Sequence, residues 1–309
     1  AQPAAGPRPL AKPPVRKYAK DRGVDLSEVA GSGPDGVVTR DDIDAHVAGG
    51  PAPAAAASGP AYGMAARPSS GERETREPIK GVRKMMAAAM VGSAFSAPHV
   101  TEFTTVDVTA TMDLVARLKG DREFTDVKVT PLLVLAKAMC LAVRRNPLVN
   151  ATWDEAAQEV VVKHYVNLGI AAATPRGLLV PNIKDADQMG MRELGEAIGA
   201  LTATAREGRT PPADMAGGTI TITNVGVFGV DTGTPIINPG EAAILAFGVV
   251  RRMPWVLTSA DGSESIEPRW VTQLALSFDH RLVDGALGSR FIADVAAILH
   301  DPARALVWG

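Results

Sequence analysis

The chain of 309 residues has a single cysteine, Cys140, so it cannot form an internal disulfide bond. This count suits a reducing compartment, and we expect a bacterial cytoplasmic protein. Cys140 lies between Met139 and Leu141 in an apolar segment. A lone cysteine in that setting is more often a small core residue than a nucleophile.

Long apolar runs, excess charge and metal-ligand spacings are also missing. No stretch approaches 18 uninterrupted apolar residues, so the sequence predicts no membrane-spanning helix. The net charge of −2 gives no reason to expect a nucleic-acid or anionic-membrane partner. The histidines and the cysteine show no metal-ligand pattern, so we expect no metal. The chain begins at Ala1 without a signal-peptide pattern, and we expect the natural N-terminus upstream.

Proline- and alanine-rich stretches predict the domain organisation. Residues 1–12 and 50–77 lack a hydrophobic period; the first predicts an extended, fairly stiff linker and the second a flexible one. Between them, residues 13–49 predict a compact two-helix domain. Its first helix covers Val15–Arg22 and is stopped by a glycine; the second has Thr39 as its N-cap.

Charge is segregated between these two helices. Arg16, Lys17 and Lys20 lie on the first helix, whereas acidic side chains lie on the second. The basic side chains predict either a face for an acidic partner or an ordinary solvated helix.

Residues 78–309 predict one large α/β domain in which helices and strands alternate. Val82, Met85, Met86, Ala89 and Met90 recur every three to four positions, which predicts a helix with a buried methionine face. The other main elements are predicted helices at Pro131–Arg145, Met191–Glu207 and Gly288–His300 and predicted strands at Val100–Val108, Val160–Ala173, Leu178–Ile183, Thr219–Thr223, Ala243–Val249 and Val271–Phe278.

The most informative motif follows the last of these strands. Ser277–Gly285 reads Ser-Phe-Asp-His-Arg-Leu-Val-Asp-Gly and places an imidazole, His280, between two carboxylates. An imidazole near neutral pH can take a proton from a thiol or hydroxyl, and a carboxylate can orient it. The alternative is a packed histidine beside a structural ion pair of Arg281 and Asp284.

Several strings in order make this region similar to a known family. The His-Arg-x-x-Asp-Gly motif resembles that of the 2-oxo acid dehydrogenase acyltransferases, the E2 components. Five further strings resemble the same family, and the resemblance covers about residues 78–309: Glu77–Gly81, Ala97–Thr101, Gly177–Asn182, Gly217–Asn224 and Pro239–Leu245. Residues 13–49 resemble the peripheral subunit-binding domain of the same proteins.

The resemblance implies a fold and an activity. The fold would be the mixed-sheet catalytic domain shared with chloramphenicol acetyltransferase, and the reaction would be acyl transfer from dihydrolipoamide to coenzyme A. His280 would deprotonate the thiol of coenzyme A, and the Thr223 hydroxyl would stabilise the tetrahedral oxyanion. Asp284 would orient the His280 loop by contacting Arg83.

Coenzyme A would lie beside Asn224, Thr130 and Gly248, although the last two residues are also compatible with purely structural roles. His99 belongs to one of the strings, and the sequence leaves open whether it lines the substrate channel.

The resemblance also implies partners. Three copies would form a trimer in which His280 and Thr223 of one site come from different chains, and trimers would build a 24- or 60-subunit core. Arg16, Lys17 and Lys20 would contact the E1 or E3 enzyme. A lipoyl group would be carried by a domain upstream of Ala1. The apolar C-terminus, Ala305–Gly309, would either plug a pocket of a neighbouring trimer or pack on its own subunit.

The acyl group is less well defined by the sequence. Gly285-Ala286-Leu287 offers no cation, which disfavours a succinyl group, and the Glu77–Gly81 and Thr221–Asn224 strings favour a branched-chain over an acetyl substrate. Two other functions stay open: a non-catalytic E2-like scaffold that anchors E3, and a free-standing small-molecule acetyltransferase.

Overall fold

The structure is a computed structural model that describes residues 11–26, 29, 31–33, 36–48, 74–174 and 177–308. The chain divides into two compact units, residues 1–67 and residues 68–309. The linkers predicted at 1–12 and 50–77 lie mostly outside the described residues.

The small unit is built on two helices, α1 (Pro13–Asp21) and α2 (Arg40–Ala48). Ala19, Val38 and Ile43 form its buried core. As the sequence predicts, Thr39 caps α2: its hydroxyl oxygen accepts the Asp42 backbone N–H at 3.4 Å. In return, the Thr39 backbone N–H and hydroxyl donate to the Asp42 carboxylate at 2.8 and 2.9 Å. Hydrogen bonds from the Ser32 side chain and backbone, and then those from Thr39, lower the pKa of the Asp42 carboxyl.

The large unit contains the remaining helices and strands. The helices are α3 (Gly81–Ser96), α4 (Thr109–Lys119), α5 (Pro131–Arg145), α6 (Met191–Arg206), α7 (Pro212–Met215), α8 (Gly285–His300) and α9 (Ala305–Trp308). The strands are β1 (His99–Asp107), β2 (Ala151–Asp154), β3 (Glu159–Val162), β4 (Leu168–Thr174), β5 (Gly177–Leu179), β6 (Asn182–Ile183), β7 (Ile220–Asn224), β8 (Ala243–Phe247), β9 (Arg251–Thr258) and β10 (Glu264–Asp279).

In the described part of this unit, eight strands form one mixed sheet, with the order β1-β10-β8-β7-β4-β5. β6 pairs with β4, and β9 pairs with β10. β4, β7 and β8 are parallel to one another, and the other pairs are antiparallel. β2 and β3 form a separate two-stranded hairpin.

One face of the sheet is covered by helices. Leu276 and Phe278 are two positions apart on β10, so their side chains point to the same face of the sheet, and both are fully buried. A Cβ at Gly288 would lie 2.6 Å from the Phe278 ring, so α8 packs directly on this face. α5 lies beside α8 and is buried along most of its length.

Helix α3 differs from the sequence-based expectation. The helix forms, but Met85 is 66% exposed and Phe95 is 87% exposed. The predicted burial of its methionine face within one chain is therefore wrong. The 3.6-residue period identifies the apolar face of the helix, but it does not show whether that face packs within its own chain or against another one.

Candidate active site

His280 lies at the tip of a tight turn between β10 and α8. The Leu282 and Val283 N–H groups donate to the Asp279 carbonyl oxygen at 3.0 Å, which folds the chain back after the strand. The Arg281 guanidinium donates to both carboxylate oxygens of Asp279, which is 2% exposed. His280 itself is exposed, so the turn presents its imidazole to solvent.

Two neighbouring segments hold the backbone of this turn. The Asp279 N–H donates to the Ala242 carbonyl, and the His280 N–H donates to the Pro98 carbonyl, both at 2.9 Å. The fully buried Phe278 ring lies 6.1 Å from the His280 ring, centroid to centroid. The imidazole therefore stands on a rigid base, which a catalytic group requires.

The predicted contact between Arg83 and Asp284 is wrong. The Arg83 guanidinium pairs with Glu77 at 2.9 Å, and both side chains are exposed. Asp284 is the N-cap of α8, where its carboxylate accepts the Leu287 N–H at 2.8 Å. Arg83 and Asp284 each interact with a group only three to six residues away in sequence. The resemblance between motifs gave no sign of these local interactions. Asp284 fixes the start of α8 directly after the His280 turn.

Thr223 lies far from His280 in the same chain. It is half-buried near the end of β7, opposite Ala171 of β4 and Ala246 of β8. Ala246 in turn faces Ala275 of β10, five residues before His280. At standard strand spacing the Cα atoms of Thr223 and His280 are about 19 Å apart. One chain does not bring the two predicted groups together.

The predicted coenzyme A positions fall into three settings. Asn224 ends β7 and is half-buried beside Thr223. Thr130 occupies the N-cap position of α5, but its hydroxyl makes no capping hydrogen bond to the backbone of that helix. Gly248 is buried, and a Cβ there would lie 1.8 Å from the Asp231 carbonyl oxygen. Close backbone packing by itself accounts for glycine at this position.

The basic side chains of the small unit are exposed. The Arg16 Nε donates to the Ala11 carbonyl oxygen at 3.0 Å, so the guanidinium lies near the N-terminal end of α1. Lys17 and Lys20 are exposed. Arg22 instead forms an ion pair with Asp44, at 3.3 Å.

Sequence reasoning missed a second support of the His280 turn. The Arg281 guanidinium carbon lies 4.8 Å from the centre of the Trp153 ring, on β2. The indole N–H of Trp153 donates to Glu155 at 2.6 Å. No sequence pattern joins β2 to the motif, because the two segments are more than 120 residues apart.

Sequence reasoning also missed Glu241, which is 5% exposed. Its carboxylate accepts the Thr221 hydroxyl at 2.7 Å and the Asn238 side-chain amide at 3.0 Å. Burial raises the pKa of Glu241 to about 7, against the opposing effect of these hydrogen bonds. The carboxyl group is a buried proton-binding site directly before β8.

Within the described ranges no group of three or more His, Cys, Asp and Glu side chains could hold a metal ion. None of the helices described combines the length and apolar character that a membrane crossing requires.

Comparison with known proteins identifies both units. Residues 71–307 match the family model of the 2-oxoacid dehydrogenases acyltransferase (catalytic domain), and residues 9–44 match that of the e3 binding domain. The chain belongs to the 2-oxo acid dehydrogenase acyltransferase family.

Individual members of this family give the same assignment. The chain is 42% identical to the dihydrolipoyllysine-residue acetyltransferase component of the pyruvate dehydrogenase complex of Bacillus subtilis, over 96% of this chain and 67% of that protein. It also resembles the dihydrolipoamide acetyltransferase of Azotobacter vinelandii and the cubic core of a pyruvate dehydrogenase multienzyme complex. Each of these structures has a TM-score of 0.70 and 31% identity, over 75% of this chain and 94% of the other.

These matches confirm the expected α/β acyltransferase fold and the E2 class of enzyme, with an E3-binding domain ahead of the catalytic domain. They do not support the preference for a branched-chain complex, since the relatives named above are acetyltransferases of pyruvate dehydrogenase complexes.

Proposed function

We propose that this acyltransferase transfers an acetyl group from dihydrolipoamide to coenzyme A, at a site formed by two copies of the chain. The observation that carries the proposal is the placement of His280 and Thr223. His280 is exposed on a firmly anchored turn, and Thr223 lies about 19 Å away on the same sheet, too far to act on one thioester.

His280 acts as the general base. A thiol with a pKa near 8.5 is only slightly ionised at neutral pH, so a base beside coenzyme A directly raises the thiolate population. The thiolate attacks the thioester carbonyl of acetyl-dihydrolipoamide, and the Thr223 hydroxyl of another copy donates to the resulting oxyanion. Collapse of the tetrahedral intermediate releases the dihydrolipoamide thiolate. The His280 imidazolium returns its proton to that sulfur, so no covalent enzyme intermediate is needed.

The A. vinelandii relative supports this assignment. A serine, a histidine and an asparagine have been investigated there for their role in catalysis, and its histidine and asparagine are four positions apart. His280 and Asp284 have the same spacing. Asp284 then acts as a positioning residue through its cap on α8, and Thr223 retains the hydroxyl of a serine. Asn224, Thr130 and Gly248 line the path of coenzyme A in this proposal.

The exposed apolar surface supports assembly of copies. Four large apolar side chains are exposed in this region: Ile79 just before α3, Met85 and Phe95 on α3, and Phe103 on β1. Large apolar side chains exposed to this degree are what a subunit interface would cover. A trimer gives each copy two neighbours, so each His280 meets the Thr223 of the next copy around the ring.

The C-terminal helix α9 carries a second contact. Trp308 packs on its own chain, with the Arg145 guanidinium 4.1 Å from its ring centre. Leu306 and Val307 are 89% and 80% exposed. Beside them lies an apolar pocket of about 530 Å³. We place the exposed pair of one trimer in the pocket of the next, which builds a core of 24 or 60 subunits.

The small unit docks E3, E1 or both, through the basic side chains of α1. Reversing two charges, in the Lys17→Glu/Lys20→Glu double variant, is expected to weaken binding of purified E3 at least tenfold at low salt. The Lys119→Glu/Lys128→Glu double variant, at two exposed positions of the catalytic unit, carries the same change in charge and is the control. Equal affinity of the double variant and the control would remove the role of α1. We place the complex in the bacterial cytoplasm, because the relatives named above come from bacteria and the single cysteine suits a reducing compartment.

The lipoyl group reaches the site on a carrier domain, which we expect upstream of Ala1. Free acyl-dihydrolipoamide replaces that carrier in the decisive assay. Acetyl-, isobutyryl- and succinyl-dihydrolipoamide are compared as donors to coenzyme A, with the His280→Ala variant as control. Acetyl transfer is expected to be fastest and to require His280. Faster isobutyryl transfer would move the assignment to a branched-chain complex, and full activity of His280→Ala would favour the rival view of a non-catalytic scaffold with a contaminating activity. Acetylation of small alcohols or amines without dihydrolipoamide would favour the free-standing acetyltransferase.

A further inference from the structure

Both ring nitrogens of His99 are engaged by the backbone. Nδ1 lies 2.7 Å from the Ala97 carbonyl oxygen, and Nε2 lies 3.0 Å from the Ile237 backbone nitrogen. The ring is half-buried at the first position of β1. It therefore joins the segment between α3 and β1 to the loop that precedes β8.

These two partners define one protonation state. A backbone N–H only donates, so Nε2 of His99 must be the unprotonated acceptor. A carbonyl oxygen only accepts, so Nδ1 must carry the proton. His99 is therefore a neutral imidazole with its proton on Nδ1, and a second proton would break its bond to Ile237.

The segments that His99 joins are the same two that hold the His280 turn. Pro98, next to His99, accepts the His280 N–H, and Ala242, five residues after Ile237, accepts the Asp279 N–H. The turn is thus supported on two sides, and His99 fixes the separation of the supports.

Ile237 is clamped at both of its backbone polar groups. Its N–H donates to His99, and its carbonyl oxygen accepts the Ser93 hydroxyl at 2.6 Å. Ile237 is 1% exposed and Ser93 is 7% exposed, so water does not readily replace either bond. This buried clamp makes the loop a firm support and not a mobile segment.

We propose that His99 is a positioning residue for His280: as a neutral cross-link between the Pro98 and Ile237 segments, it sets the place of the catalytic imidazole. This inference rests on the proposed function of His280 as the base. His99 does not contact substrate in this account. It acts through the backbone of the turn, where a shift of about 1 Å can cost roughly 100-fold in rate.

Two polar variants test the cross-link in the assembled protein. In His99→Gln, the side-chain oxygen can reach the Nε2 position and accept the Ile237 N–H, whereas the shorter side chain of His99→Asn reaches only the Nδ1 position. We expect kcat within about threefold of wild type for His99→Gln and a fall of about 10- to 100-fold for His99→Asn. KM for coenzyme A should change less than about twofold in both, since binding residues are untouched.

A matched control comes from His300, whose Nδ1 contacts the Asp107 carbonyl at the other end of β1. His300→Asn should leave kcat near the wild-type value. Equal kcat for His99→Gln and His99→Asn, whether both high or both low, would overturn the positioning role.

A spectroscopic measurement on the wild type needs no activity. The chain has five histidines, so the ¹⁵N spectrum of histidine-labelled sedimented assemblies is simple, and the His99→Gln variant identifies the His99 signals. We expect a protonated Nδ1 and an unprotonated Nε2 at neutral pH, and a protonated Nε2 would overturn the cross-link. If wild-type protein failed to transfer acyl groups while showing the expected His99 signals, the proposed function would fail and the cross-link would stand.

Discussion

Mixing two inactive variants gives a quantitative test of a shared active site. His280→Ala removes the base, and Thr223→Val removes the oxyanion donor while keeping the shape of the side chain. Loss of one such donor typically costs about 100- to 1000-fold in rate, so assemblies of either variant alone should be nearly inactive. Thr223→Ser is the matched control, because it retains the hydroxyl, and it should keep activity within about tenfold of wild type.

The structure predicts how much activity returns in the mixture. Since the Cα atoms of His280 and Thr223 are about 19 Å apart in one chain at standard strand spacing, the proposal takes His280 of each site from one copy and Thr223 from its neighbour. In trimers formed at random from equal amounts of the two variants, a site is intact when a Thr223→Val chain supplies His280 and a His280→Ala chain supplies Thr223. About one site in four meets this condition in a cyclic trimer.

The assay is acetyl transfer from acetyl-dihydrolipoamide to coenzyme A, on assemblies co-expressed with two different affinity tags and purified through both. Mixing the separately assembled variants without subunit exchange is the control and should give no recovery. Recovery to about a quarter of wild-type kcat in whole cores supports the shared site, and isolated trimers purified through both tags should recover about a third. Mixed assemblies no more active than the two parents would refute it, because both groups would then have to act within one chain.

Three further perturbations follow from the geometry. Burial raises the pKa of Glu241 to about 7, above the ordinary glutamate value of 4.5, so as pH rises the carboxyl group ionises in the unfolded chain before it does in the folded one. The free energy of unfolding should therefore fall by on the order of 3 kcal/mol between about pH 4.5 and 7. Glu241→Gln should remove most of that pH dependence in thermal unfolding scans. Gly248→Ala places a methyl group against the Asp231 carbonyl and should destabilise the fold by about 1–3 kcal/mol in denaturant titrations, whereas Gly233→Ala, which meets open space, should not. Leu306→Asp should leave trimers intact but prevent the larger core, as measured by light scattering, and an unchanged assembly mass would contradict the role of the C-terminal pair.

Local patterns in the sequence predicted much of the fold. Helix α5 has the predicted bounds, Pro131–Arg145, because its apolar run, its initial proline and its terminal arginines agree. The predicted strand Val160–Ala173 is instead two strands, β3 and β4, which pair with different neighbours. The break lies at residues 163–167, where polar side chains interrupt two apolar runs that the prediction had joined into one strand.

Hairpin β9–β10 shows a second limit. The sequence analysis began the final strand at Val271, but β10 begins at Glu264 and pairs with the unpredicted β9. Apolar side chains in residues 251–258 and 264–270, such as Met253, Val256 and Ile266, are exposed, and each segment contains a proline. Neither segment therefore shows the apolar alternation with one buried face on which strand prediction depends. Their backbone pairing supplies the order instead.

The candidate site divides in the same way. The His280 turn follows from its own motif, because the groups that shape it, Asp279, Arg281 and Asp284, are neighbours in sequence. The contacts of Trp153, His99 and Pro98 that support the turn could not be predicted from the motif, because these residues lie in distant segments that come together only in the folded sheet. Thr223 belongs to a third class, because under the proposed function it acts only in a site completed by a second copy.

The central claim is most directly tested by a cryo-electron microscopy structure of the assembled protein with coenzyme A and a non-hydrolysable acyl-dihydrolipoamide analogue. We expect the coenzyme A sulfur within about 4 Å of the His280 imidazole, and the analogue's carbonyl oxygen within hydrogen-bond distance, about 3 Å, of the Thr223 hydroxyl of a different copy. A coenzyme A thiol bound away from His280, or a Thr223 hydroxyl without a ligand oxygen in reach, would contradict the account.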